Sequence, residues 1–242
     1  MNGLRELLVE KTATIGEKLS VRRFAKVTGD CVASYLHAGG KIGVLVAGTG
    51  ASDDAAKEAL TNIAMQIAAM NPQYISRSEI SDEELAKIRE ITIDSALNDP
   101  ASLPKPIQNE LYAKVETEKL FSEEDLAILA EKKNDKYLYN FLSKEAIAKL
   151  AELALAAKAS YVDNKIFAGL VEGRISKQLK EICLLDQTYV KAEDGKQTVA
   201  AYFASVNKDI VVSNYVRFEV GEGMEKKNED FAAEVAAQMA NA

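Results

Sequence analysis

The middle of the 242-residue chain limits its fold most. From about residue 79 to 181 β-branched runs disappear, and Glu, Lys, Ala and Leu dominate. That is a helix-forming composition. Strand-like segments lie on both sides of it. LSVRRFAKVTG (19–29), CVASYLHAGG (31–40) and KIGVLVAG (41–48) read as three short strands punctuated by Gly29-Asp30 and Gly39-Gly40. Such close spacing favours an antiparallel meander. Near the other end, Val216, Phe218 and Val220 alternate with Tyr215, Arg217 and Glu219, and Gly221-Glu222-Gly223 ends that strand. A strand separated by a long helical stretch most economically rejoins the first strands. The reading is therefore α+β, with a small antiparallel sheet of three to four strands covered by helices. Residues 1–78 and 182–242 form a discontinuous core with a C-terminal helical module, and 79–181 form an inserted, coiled-coil-like helical arm.

Local signals place the helices. Leu60, Ile63, Ile67 and Met70 make a single apolar stripe after Ser52, which is read as the N-cap, and the helix stops at Asn71-Pro72. Ser81-Asp82-Glu83-Glu84 has capping-box form, and Ser122 opens another helix with acidic residues in its first turn. Pro100, Pro104 and Pro106 break the helical stretch. Ile147, Leu150 and Ala154 give a narrow packing seam, so the arm is expected to be a hairpin with an extra helix or two. Val171, Ile175, Leu179 and Ile182 share a face of the next helix, and another short helix starts at Thr198. Phe231, Val235 and Met239 recur at i, i+4, i+8 in the last segment.

The stretch IGVLVAGTGASDDAAKEAL (42–60) runs from a strand through Gly48-Thr49-Gly50 into a helix, the layout of a phosphate cradle. The third glycine of the dinucleotide fingerprint is replaced by Asp53, and Asp53 and Asp54 would repel a phosphate. The loop reads as a turn; its alternative use is a small-molecule or catalytic site. His37 is the only histidine, and Cys31 and Cys183 lack metal-ligand spacing, so neither a zinc site nor a conventional triad is expected. No cofactor is expected. Net charge is −7, and residues 79–181 hold 15 Lys+Arg against 20 Asp+Glu, which argues against nucleic acid and anionic membrane as partners. No apolar run approaches the ~20 residues needed to span a bilayer. Two lone thiols fit a reducing compartment, and the cytoplasm is expected. A protein-binding role, not catalysis, is the expectation. Arg22-Arg23 are expected to pair with an acidic neighbour or to face a partner.

SVRRFAKVTGD, SYLHAGGKIGVLVA, NIAMQIAAMNP, VEGRISKQLKEICLL and VRFEVGEGMEKKNEDFAAEVA resemble, in order, the C-terminal half of bacterial elongation factor Ts. The family's members are guanine nucleotide exchange factors. The resemblance implies binding to elongation factor Tu, GDP-bound or nucleotide-free, and GDP release. It also implies a sheet subdomain leaning on Tu, a projecting helical arm, and a C-terminal module touching the nucleotide domain. Expected partner-binding residues are Tyr35, His37, Arg217, Glu219, Met224, Phe231 and Val235; a homodimer is left open. The family's N-terminal three-helix module and its Thr-Asp-Phe-Val motif have no counterpart, since the only Asp-Phe pair, Asp230-Phe231, sits in the last helical segment. The chain is therefore expected to be part of a longer polypeptide, and to dock on Tu better than it drives exchange.

Overall fold

The computed structural model describes residues 2–224. The chain divides into two compact units, Met1–Asn71 with Phe203–Ala242 and Pro72–Tyr202. In the first unit, β1 (Cys31–His37) and β2 (Ile42–Thr49) form an antiparallel hairpin, with Tyr35 opposite Val44 and His37 opposite Ile42. The turn between them carries three residues with left-handed backbone, Ala38, Gly39 and Gly40. β3 (Val211–Glu219) adds to the other side of β2, so the order is β1-β2-β3, with a bulge at Ala47/Gly48. The late strand does rejoin the early ones.

Preceding the hairpin, α1 (Asn2–Ile15) leaves Leu4, Leu7, Val9 and Ile15 exposed. One face of the sheet is covered by α2 (Asp54–Met70), whose Leu60, Ile63 and Ile67 are fully buried while Met70 is exposed. Each such burial contributes about 1.5–3 kcal/mol. The N-cap of α2 is Asp53, not Ser52: its backbone is extended and its Oδ1 accepts from the Ala56 amide at 2.7 Å. The helix starts one residue later than the serine reading required. It ends at Asn71, which is left-handed (φ 46°) and returns its N–H to the Ile67 carbonyl.

Residues 19–29 are not a strand of this sheet. An apolar face is missing, because Arg23 falls among Leu19, Val21, Ala25 and Val27 on one side and Phe24 falls among Ser20, Arg22 and Lys26 on the other. The stretch instead crosses the sheet face opposite α2 as an extended strap. Gly29 lies so close to β2 that a Cβ there would meet the Gly48 carbonyl at 2.6 Å, and Arg23 stacks 4.7 Å above the Phe218 ring.

The second unit contains α3 (Asp82–Leu97), α4 (Lys105–Glu118), α5 (Glu123–Lys132), α6 (Lys144–Ala156), α7 (Lys158–Val162) and α8 (Lys165–Ile182). That is more helices than a hairpin with one or two additions. Leu97, Ile107, Val115, Leu129, Leu150 and Phe167 are fully buried in one apolar cluster, and α3 packs on α8. Ser81 and Glu84 complete the capping box at α3, Ser122 caps α5, and Pro100 and Pro106 sit at helix starts. Val171, Ile175 and Leu179 are buried and Ile182 is packed against them, as their spacing implied. The helix expected from Thr198 is α9 (Val199–Val206). Cys31 and Cys183 are both buried and unbridged.

Candidate partner-binding corner of the sheet

Strand register gathers residues that lie far apart in sequence. Tyr35, Val44 and Arg217 form one row across the three strands, and His37, Ile42 and Glu219 form the next. Both rows lie on the α2 side of the sheet, at the end bounded by the Ala38–Gly40 turn. Tyr35 is half-buried and its hydroxyl meets His37 Nδ1 at 3.1 Å; the two rings lie 5.9 Å apart. His37 itself is exposed, so the core alternative for this pair applies only to the base of Tyr35.

On β3, Arg217 keeps only 11% of its side chain exposed, against 47% for Glu219. One guanidinium nitrogen of Arg217 lies 2.8 Å from Glu219 and donates to the Ala68 carbonyl in the last turn of α2 at 3.4 Å. A cation at a helix C-terminus complements the dipole and meets carbonyls that have no intrahelical partner. Arg217 Nε is buried with no hydrogen-bond partner among the described residues. The corner thus offers an imidazole, a phenol and a carboxylate on a floor of Val44 and Ile42, held rigid by the arginine. An aromatic and polar groups on a fixed backbone suit the centre of a protein interface.

Beyond β3, Met224 is exposed and its N–H bonds to the Gly221 carbonyl at 3.2 Å. The preceding turn is clamped: Arg22 donates to the carbonyls of Glu222 and Gly223, and Arg23 pairs with the Glu222 carboxylate at 3.1 Å. The Arg23 hydrogen bond holds the Glu222 carboxyl below its ordinary value. Of the two readings of Arg22-Arg23, the structure supports pairing with an acidic neighbour. Phe231 and Val235 lie outside the described residues. The sequence alone missed Ile42 and Val44 as the floor; only the register, which is set by tertiary pairing, brings them there.

The glycine turn after β2 has a structural explanation. Gly50 has φ +91°, and a Cβ there would lie 1.9 Å from the Asp209 carbonyl oxygen. Its N–H donates to Asp30 Oδ2 at 3.0 Å. The amide that a phosphate would need is occupied by a carboxylate, and Asp53 occupies the N-terminus of α2. Among the described residues no group of three or more His, Cys, Asp or Glu could hold a metal ion, and no helix is long and apolar enough to cross a membrane.

In the helical unit a pocket of about 500 Å³ is lined by Phe121, Ile128, Phe141, Ser143 and Lys149, with Asp125 in its wall. Asp125 ties two helix starts together, accepting from Ser143 N at 2.9 Å, Ser143 Oγ at 2.7 Å and Ser122 Oγ at 2.8 Å. Burial raises its carboxyl, but these hydrogen bonds outweigh burial and hold it below its ordinary value. With its acceptors engaged by the two serines, this carboxylate is a structural clasp.

The described residues combine a helix-backed antiparallel sheet that carries an exposed polar-aromatic corner with a second, helical unit. The chain belongs to the elongation factor Ts family: the family model described as Elongation factor TS matches residues 2–222. It is 39% identical over 240 residues to Elongation factor Ts of Clostridioides difficile (strain 630), covering 98% of this chain and 59% of that relative. The chain thus spans less than two thirds of the length of the curated relative it matches.

Proposed function

We propose that this chain docks on elongation factor Tu, GDP-bound or nucleotide-free, through the sheet corner formed by Tyr35, His37 and Glu219 and braced by Arg217. Met224, Phe231 and Val235 extend the contact along the C-terminal segment. The observation that carries this reading is the Tyr35–His37 pair, which stands at an exposed sheet end beside the Arg217–Glu219 pair. Family membership supplies the partner. The helical insertion, residues 79–181 in the sequence reading, acts as an arm of the same docking module, and the protein works in the cytoplasm.

Exchange requires contacts that differ between the nucleotide-bound and nucleotide-free states of Tu, because a partner shifts an equilibrium only through differential affinity. The family's Thr-Asp-Phe-Val contact near magnesium has no counterpart in this sequence. The chain therefore docks on Tu but accelerates GDP release far less than a full-length guanine nucleotide exchange factor of the family. Stopped-flow release of a fluorescent GDP analogue from Tu, at saturating amounts of the chain, tests this. Acceleration equal to a full-length factor's would overturn it.

A further inference from the structure

The corner holds the chain's only histidine. Among the described residues, the His37 imidazole makes one hydrogen bond, between Nδ1 and the Tyr35 hydroxyl at 3.1 Å, and that hydroxyl makes no other. The two residues stand two apart on β1 and share a face, with their rings 5.9 Å apart and inclined at 39°. His37 has extended backbone (φ −112°, ψ 152°) and is followed at once by the left-handed Ala38–Gly40 turn. The backbone therefore fixes where the imidazole is attached, and the phenol is the polar group that fixes how the ring is turned.

One proton lies between the two atoms, and acidity decides which of them carries it. A phenol O–H is a stronger donor than a neutral imidazole N–H. The bare imidazole nitrogen is a better acceptor than a phenol oxygen, whose lone pair is shared with its ring. The matched arrangement is Tyr35 O–H donating to Nδ1. A neutral imidazole has a single N–H, so its proton is then on Nε2.

On the docking reading above, we infer that Tyr35 is a positioning residue that locks His37 as the Nε2–H tautomer. The corner then presents a donor and takes an uncharged hydrogen-bond acceptor of the partner, a backbone or amide carbonyl. Arg217 is already committed to Glu219 and to the Ala68 carbonyl. A partner carboxylate would leave water to face a neutral imidazole with that cation spent, a cost that a carbonyl does not carry. The lock also raises the competent population. A ring free to choose between two tautomers and two flips is competent roughly a quarter of the time, and apparent affinity falls by that fraction.

A single histidine makes the spectrum unambiguous. Long-range proton–nitrogen correlation of the imidazole in the free chain, at about pH 8.5 where free imidazole is neutral, should show Nδ1 bare and Nε2 protonated. In Tyr35→Phe the two nitrogen shifts should move toward each other. Calorimetry with Tu carrying GDP should find Tyr35→Phe about fourfold weaker, with a melting temperature within about 1 °C of wild type. His37→Gln, whose amide N–H reaches the place of Nε2–H, should recover most of the affinity lost in His37→Ala. His37→Asn, which stands in for Nδ1, and His37→Lys should not. The spectrum is read without Tu, so failure of the lock and failure of docking are told apart. A protonated Nδ1, or a spectrum unchanged by Tyr35→Phe, overturns the lock. Recovery by lysine and not by glutamine overturns the uncharged acceptor, and wild-type affinity in His37→Ala overturns docking at this corner.

Discussion

Arg217 of β3 donates to the carbonyl of Ala68, in the last turn of α2, across 149 residues of sequence. This contact joins the late strand to the helix that backs the early hairpin. Arg217→Ala removes the donor at the helix end and its pairing with Glu219. It should destabilise the sheet unit by about 1–2 kcal/mol. Arg217→Lys, which keeps the charge and loses the forked geometry, should recover part of that loss. Chemical denaturation of the three proteins checks the order. An unchanged midpoint for Arg217→Ala would mean that the side chain braces nothing.

Asp125 makes a pH-dependent prediction in the helical unit. Its folded-state carboxyl sits below the ordinary value of about 4. Its contribution is therefore complete above that ordinary value and is lost as pH falls through the lowered folded value. Asp125→Ala should cost roughly 2–3 kcal/mol at pH 7, from charge-assisted bonds to Ser122 and Ser143. The gap between the two proteins should narrow as pH drops below about 4, because the clasp protonates. Urea midpoints at pH 7 and pH 3 measure it, and a gap that widens at low pH contradicts the sign.

Much of this architecture was legible where the cause is local. Ser81 and Glu84 form their capping box three residues apart, and Ser122 caps α5 within its own turn. The 3-4 spacing of Leu60, Ile63 and Ile67 is enough to define the buried face of α2. What escaped has causes that are distant in sequence. Asp53 displaced Ser52 as cap because either residue satisfies the local rule and the helix start decided between them. Residues 19–29 have strand-forming residues, but a strand needs a paired neighbour, and here Arg23 and Gly29 settle on the sheet face instead. At the candidate corner, period-two alternation gave Tyr35 and His37 a common face. That Arg217 and Glu219 join the same two rows follows from the register of β2 with β3, which no local pattern encodes.

The helical unit should be removable. Its apolar cluster runs from Ile80 to Cys183, so it owns a core apart from the sheet. Replacing Pro72–Tyr202 with a Gly/Ser linker of about ten residues should leave a cooperatively folding sheet unit, since added loop length costs little closure entropy. Circular dichroism and a single unfolding transition report success. Aggregated or unfolded protein would make the helices part of one indivisible domain.

The corner's role in docking is tested most directly by titration calorimetry of Tu carrying GDP with the chain, alongside its His37→Ala variant. The imidazole is exposed and contributes little to the fold, so the melting temperature of the variant should stay within about 1 °C, as for an exposed substitution of under ~0.5 kcal/mol. Loss of an anchor at the centre of an interface costs about 1–2 kcal/mol, which would weaken binding roughly 5- to 30-fold. Wild-type affinity in a variant that melts normally would contradict a Tu-binding surface at Tyr35 and His37.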